Sequence, residues 1–174
     1  MTESHNQFER ITGFRADTIG QPGERRFRLL VEAADGRTAV LWLEKEQLFN
    51  LAVTVKRLIV AGESAAGAFE TETSGMATMP EPTAPDFDFQ IGRMGVQYND
   101  QQGEVVITAY SVASPEDSDL PDLSFLVDRA MVDIFANEAI KLCAAGRPLC
   151  PLCGAPMGPE QHICPMHNGH GHLE

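Results

Sequence analysis

The sequence predicts an α+β protein: two pseudo-repeated βββα units packing into one antiparallel-sheet core, followed by a small C-terminal zinc-binding tail. Three observations predict it. Apolar residues alternate with period two in the stretches before residue 44 and again after residue 86. Each set of stretches runs into a single segment of helical period. Three of the four cysteines crowd into the last part of the chain. The expected organisation is a first unit over 8–62, a flexible linker over 63–85, a second unit over 86–146 and a tail over 147–172.

In the first unit, Thr12 to Ile19 reads as a strand that ends at a turn. Pro22-Gly23 fits the central positions of a type II turn, because proline presets φ and glycine accepts a positive one. Phe27, Leu29 and Val31 then alternate, and Asp35-Gly36 is a hairpin signal before the apolar run Ala39 to Leu43. Trp42 on that run reads as a core aromatic. After Glu44 the period changes. Leu48, Phe49, Leu51, Ala52, Val55, Leu58 and Ile59 recur at helical spacing, and Gly62 supplies a stop. From Gly62 to Pro85 the chain is rich in small and polar residues without an apolar period, and Pro80, Pro82 and Pro85 oppose regular structure.

The second unit repeats the order. Phe87, Phe89 and Ile91 alternate, Gly92 and Gly95 suggest a bulge, and Met94, Val96 and Tyr98 carry the strand to a polar turn at Asn99 to Gly103. Glu104 to Val112 pairs back. A loop from Ser114 to Asp122 leads to a short strand, Leu123 to Val127, and a helix with Asp128 as its N-cap. When Leu48 is set on Val132, the residues Leu51, Ala52, Val55, Leu58 and Ile59 fall on Phe135, Ala136, Ala139, Leu142 and Cys143, all apolar. Glu44 falls on Asp128 and Gly62 on Gly146 in the same register. Phe49 falls on Asp133, and the strands align only loosely, so convergence on a common helical period competes with duplication. Two three-stranded sheets, each under one helix, would pair about a pseudo-twofold axis and share a core.

The formal charge of -12 and a pI near 4.7 oppose phosphate backbones and anionic membrane surfaces. Met1 to Arg10 is polar and carries no apolar run of the kind a secretory signal or spanning helix needs, so a cytoplasmic protein is expected. Without an oxidising compartment, the clustered cysteines read as metal ligands rather than disulfides.

Cys150-Pro-Leu-Cys153-Gly154 has the form of a zinc knuckle, two thiolates three residues apart gripping one ion beside a glycine that permits the tight turn. Tetrahedral Zn2+ needs four ligands, and Cys164 is the third. His162, two residues before Cys164, and His167, which repeats the spacing of the first knuckle, compete for the fourth place; His170 and His172 read as a solvated tail. A shell of three thiolates and one imidazole is closed and weakly Lewis-acidic, so the ion is read as structural. Cys143 shares the helical register of Ile59 and is read as a buried thiol. Arg25, Arg26 and Arg28 are read as a solvated strand face, and Glu116, Asp117, Asp119 and Asp122 as a solvated loop. No phosphate-binding glycine loop, nucleophile elbow or His-Glu-x-x-His pattern occurs.

The segments Gly20-Gln-Pro-Gly-Glu-Arg-Arg-Phe27, Ala144-Ala-Gly-Arg-Pro148, Cys150-Pro-Leu-Cys153-Gly-Ala-Pro, His162-Ile-Cys164-Pro and Asn168-Gly169 resemble a family of bacterial proteins of about this length, catalogued as domain of unknown function 3090. The resemblance implies His162 as the fourth ligand, because the family pattern holds that histidine while the position of His167 is often another residue. It implies no activity. The functional expectation is a non-enzymatic adaptor or regulator binding another protein. The alternative is an enzyme acting on a small molecule in a cleft between the two units. Nucleic acid is a disfavoured partner, because the tail carries almost no basic residue beyond Arg147.

Overall fold

The structure is a computed structural model and describes residues 6–21, 23–66, 79–145 and 151–152. In chain order it forms β1 (Gln7–Phe8), β2 (Ile11–Ile19), β3 (Arg26–Ala33), β4 (Thr38–Leu43), α1 (Lys45–Ala66), β5 (Phe87–Asn99), β6 (Glu104–Ser111), β7 (Leu123–Asp128) and α2 (Arg129–Ala144).

Local chemistry sets the turns and caps. The Glu24 N–H donates to Gln21 O at 2.9 Å, closing the β2–β3 turn; Pro22, assigned to that turn from the sequence, lies outside the described residues. Gly36 adopts φ 89°, which a side chain would resist, and Asp35 accepts from the Arg37 N–H at 2.9 Å to fix the β3–β4 hairpin. At the start of α1 the Gln47 side chain reaches back to the Glu44 N–H at 2.8 Å, one half of a capping box. Asp128 caps α2 by accepting from the Met131 N–H at 2.8 Å, as its sequence position predicts.

The strands form one seven-stranded mixed sheet in the order β1-β7-β6-β5-β4-β3-β2. This corrects the expectation of two three-stranded sheets in a purely antiparallel core. Each meander is antiparallel, but β4 pairs with β5, and β1 with β7, in parallel. Parallel neighbours need a long connection, and α1 supplies the one from β4 to β5. β1, only two residues long, carries no alternation that a sequence could display. Only Glu9 and Arg10 separate β1 from β2, so the two ends of the sheet are one bent stretch of chain and the sheet curls back on itself. The curl brings Phe14 of β2 to 5.4 Å, centroid to centroid, from Phe125 of β7.

The ladder of the first meander has a counterpart in the second. Leu29 opposes Leu41 as Ile107 opposes Phe125, and Phe27 opposes Leu43 as Val105 opposes Val127. Phe14 opposes Val31 as Met94 opposes Ala109. The irregularity between Ile11 and Gly13 matches that between Ile91 and Arg93, where the sequence predicts a bulge.

One face of the sheet carries the main core. Leu29, Leu41, Ile107, Phe125 and their neighbours meet Leu48, Leu51, Ala52 and Val55 of α1 and Val132, Phe135, Ala136 and Ala139 of α2. Burial of these side chains, each worth about 1.5–3 kcal/mol for the larger ones, is what holds both helices on that face. Phe14 stacks on Phe135 with ring centroids 3.9 Å apart, and Lys56 Nζ joins the helices by an ion pair to Asp133 at 2.6 Å. Cys143 is buried as predicted, and burial raises the pKa of its thiol.

Two local expectations change. The helix α1 does not stop at Gly62 but runs to Ala66, because Gly62 is a notch: a Cβ there would lie 2.4 Å from Tyr98 Cε1. Past the gap in the described residues, Met79 is buried and Glu81 is ion-paired, so this end of the segment read as a flexible linker is tied to the sheet. Gly146, assigned as the stop of the second helix, lies outside the described residues. No described helix is long and apolar enough to cross a membrane.

Candidate functional site

The expected zinc ligands Cys150, Cys153, His162 and Cys164, and the rival His167, all lie outside the described residues. Among the described residues no group of three or more His, Cys, Asp or Glu is placed to hold a metal ion. Pro151 and Leu152, which separate the two knuckle cysteines, form an exposed turn. The approach to this segment is anchored: Arg25 Nη1 donates to Ala145 O at 3.0 Å, which ties the end of α2 to the β2–β3 turn.

The most developed polar site lies on the other face of the sheet, away from both helices. Period two puts Gly13, Arg15 and Asp17 of β2, Arg28 and Leu30 of β3, and Val40 and Trp42 of β4 on this face, and the register aligns them. Arg15 opposes Leu30, Asp17 opposes Arg28, and Arg28 opposes Trp42. Leu30, Val40 and Met79 are buried in a small cluster of their own, with the half-buried Trp42 packed against it. Trp42 is therefore not in the main core: its place in the strand's alternation turns it outward. Its indole Nε1 donates to Asp88 Oδ1 at 2.8 Å, and the Arg26 guanidinium lies 4.2 Å from its ring centroid.

Arg28 overturns the expectation of a solvated basic face. It is 6% exposed and sits 5.7 Å from the Trp42 ring. Its Nη2 donates to Asp17 Oδ2 at 2.8 Å, its Nε to the same oxygen at 3.3 Å, and its Nη1 to Glu81 Oε1 at 2.9 Å. Buried charge must be paired, and no sequence pattern announces that carboxylates from β2 and from beyond α1 will converge on one strand position. Burial disfavours the ionised form of Asp17, but hydrogen bonds from Arg28 and the Thr18 N–H, with the charges of Arg28 and Arg15, outweigh it and lower the pKa. Burial likewise opposes the charge on Arg28, and its two carboxylate partners reverse that and raise its pKa.

A second feature is an open depression of about 440 Å³ at the β5 bulge, lined in part by Gly92, Arg93, Tyr110, Ser111 and Glu116. The Arg93 guanidinium lies 3.8 Å from the Tyr110 ring centroid and donates to Ser118 O. In the loop beyond, Glu116, Asp117 and Asp119 are exposed, as expected for a solvated segment. Asp122 is not: it is half-buried and accepts from the Ser111 N–H at 2.8 Å and Ser114 Oγ at 2.5 Å, so its role is to close the β6–β7 connection.

Fold and site together define an α+β protein whose curled mixed sheet packs two helices on one face and carries an arginine–tryptophan platform on the other. The chain belongs to the family of proteins of unknown function DUF3090, whose model matches residues 6–164. No curated protein and no solved structure matches it.

Proposed function

We propose that this protein is a cytoplasmic, non-enzymatic adaptor or regulator that binds another protein through the platform around Trp42. One observation carries the reading: an aromatic ring flanked by Arg26 and Arg28 stands half-buried on a sheet face that the helices leave uncovered. Tryptophan and arginine are the side chains that most often dominate protein–protein binding energy, because each combines a large apolar surface with fixed donors. The joint between the halves, where β4 meets β5, buries Leu41, Leu43 and Ile91 on its core side, and on its outer side Trp42 and Asp88 are bonded to each other. That supports an adaptor over an enzyme working in a cleft between the units.

The matching ladders and matching bulges of the two meanders support an origin by duplication of a βββα unit. A structural zinc ion held by Cys150, Cys153, His162 and Cys164 completes the proposal, fastening the C-terminal segment near the β2–β3 turn. The Cys-x-x-Cys spacing of Cys150 and Cys153, with Cys164 beyond it, supports the ion. Native mass spectrometry should find one zinc per chain and none after Cys153→Ser; an intact chain without zinc refutes the metal site.

For the adaptor reading, quantitative cross-linking in native lysate compares the wild-type chain with Trp42→Ala. At least one partner should be lost from the variant alone. Identical partner sets for the two chains would refute the reading.

A further inference from the structure

The platform is not bare: part of it is already filled by the chain's own residues after the gap. Met79 is 6% exposed and packs on Leu30 and Val40. Room for it exists because β2 has a glycine at the facing position: a Cβ on Gly13 would stand 2.8 Å from Met79 Sδ. Two residues on, Glu81 reaches Arg28 at 2.9 Å. Pro80 and Pro82 flank that carboxylate and have no N–H to give to a ladder, so side chains supply the hold. The ion pair is open to water on one side only: the Glu81 side chain is 65% exposed, that of Arg28 7%. Among the described residues the buried Arg15 Nε has no hydrogen-bond partner, a donor that Met79 and Glu81 do not use.

From this arrangement we infer that the outer face of the first meander is a groove for an extended acidic peptide of a partner protein, with an apolar residue two positions ahead of a carboxylate. Met79-Pro80-Glu81 is a built-in occupant that such a peptide displaces. The apolar residue enters the slot formed by Gly13, Leu30 and Val40, and the carboxylate takes Arg28. A longer acidic partner gains over the internal segment by reaching Arg15 and Arg26 as well. Arg15, Arg26 and Arg28 share this face with Asp17, Glu32 and Asp88, and Arg28, held by Asp17 through Nη2, still gives its Nη1 to a carboxylate from outside the sheet, the place an acidic peptide would take. The inference rests on the adaptor reading and specifies its ligand.

Trp42 is the single tryptophan of the chain, so its emission reports the groove directly. The probe is a synthetic peptide Ala-Thr-Met-Pro-Glu-Pro, blocked at both ends, titrated into the full chain and into Met79→Ser/Glu81→Gln. A tethered occupant competes with an added one, so the double variant should bind with a midpoint at least about tenfold lower than the wild type. Replacing Glu by Gln in the peptide should weaken binding to the variant. Glu81→Gln alone, which loosens the internal segment from Arg28 and leaves Gly13, Leu30, Val40 and Arg28 in place for the peptide, provides a second open form if the double variant does not fold. Equal midpoints in closed and open forms, no saturable emission change in the open form, or indifference to the Glu-to-Gln change would each overturn the inference. If the peptide fails while a cross-linked partner still depends on Trp42, the ligand class falls and the adaptor reading stands. If Trp42→Ala loses no partner, the adaptor reading falls with it.

Discussion

Replacing Gly62 by alanine should destabilise the protein even though it improves the helix. In the interior of a helix, alanine is better than glycine by about 1 kcal/mol. Against this, the new Cβ would lie 2.4, 3.0 and 3.2 Å from Tyr98 Cε1, Cζ and Cδ1. Comfortable carbon contacts are about 3.5–4.0 Å. Helix and ring must therefore part by roughly 1 Å, and overpacking of that kind costs about 1–3 kcal/mol. Since Tyr98 is itself packed on the main core, its ring has limited room to retreat, and the net effect should be a loss of about 1 kcal/mol. A Tyr98→Ala background removes the obstacle, and there Gly62→Ala should stabilise by about 1 kcal/mol. The assay is urea unfolding of the four members of the cycle, with a coupling of about 2 kcal/mol expected between the sites. A Gly62→Ala that stabilises equally in both backgrounds would show that the ring is not the reason for this glycine.

Two further expectations concern stability. Asp17 has a folded-state pKa below its unfolded value, so its contribution is present above the unfolded value of about 3.9 and is lost as pH falls through the folded one. Urea midpoints should thus decline in acid below about pH 4, and Asp17→Asn should flatten that decline while lowering stability near neutrality by about 1–3 kcal/mol; an unchanged acid limb would sink the assignment. Asp128→Ala removes the N-cap of α2 and should lower stability by about 1 kcal/mol, with Asp128→Asn or Asp128→Ser recovering most of it, and failure of that recovery would point to a role other than capping.

The elements that sequence reasoning located are those that depend on near neighbours. The hairpin at Asp35-Gly36, the bulge near Gly92 and the cap at Asp128 each follow from a few consecutive residues, and the apolar spacing of α1 and α2 follows from their own period. What it missed was set by distant partners. Gly62 looks like a stop until Tyr98 is brought beside it. Arg28 looks solvated until Asp17 and Glu81 close on it, and Trp42 looks like a core residue because aromatic character alone does not say which face of a sheet it occupies. The platform itself is therefore invisible as a site, although Trp42, Arg26 and Arg28 each stand out in the sequence. The joining of two meanders into one sheet rests on parallel pairs between strands far apart in sequence, for which local pattern holds no signal.

The short strand β1 bears on how the chain reaches this structure. Gln7 and Phe8 find their partners at Ser124 and Phe125, so nearly three quarters of the polypeptide must emerge from the ribosome before its first strand can be placed. The pairing of β2 with β3 requires only the first quarter of the chain and can form early. Closure of the sheet by β1 spans a large loop and belongs among the slow, non-local steps. Until it occurs, the β7 edge is open to other chains. Crowded synthesis would then favour intermolecular pairing at that edge over any fault in the finished fold.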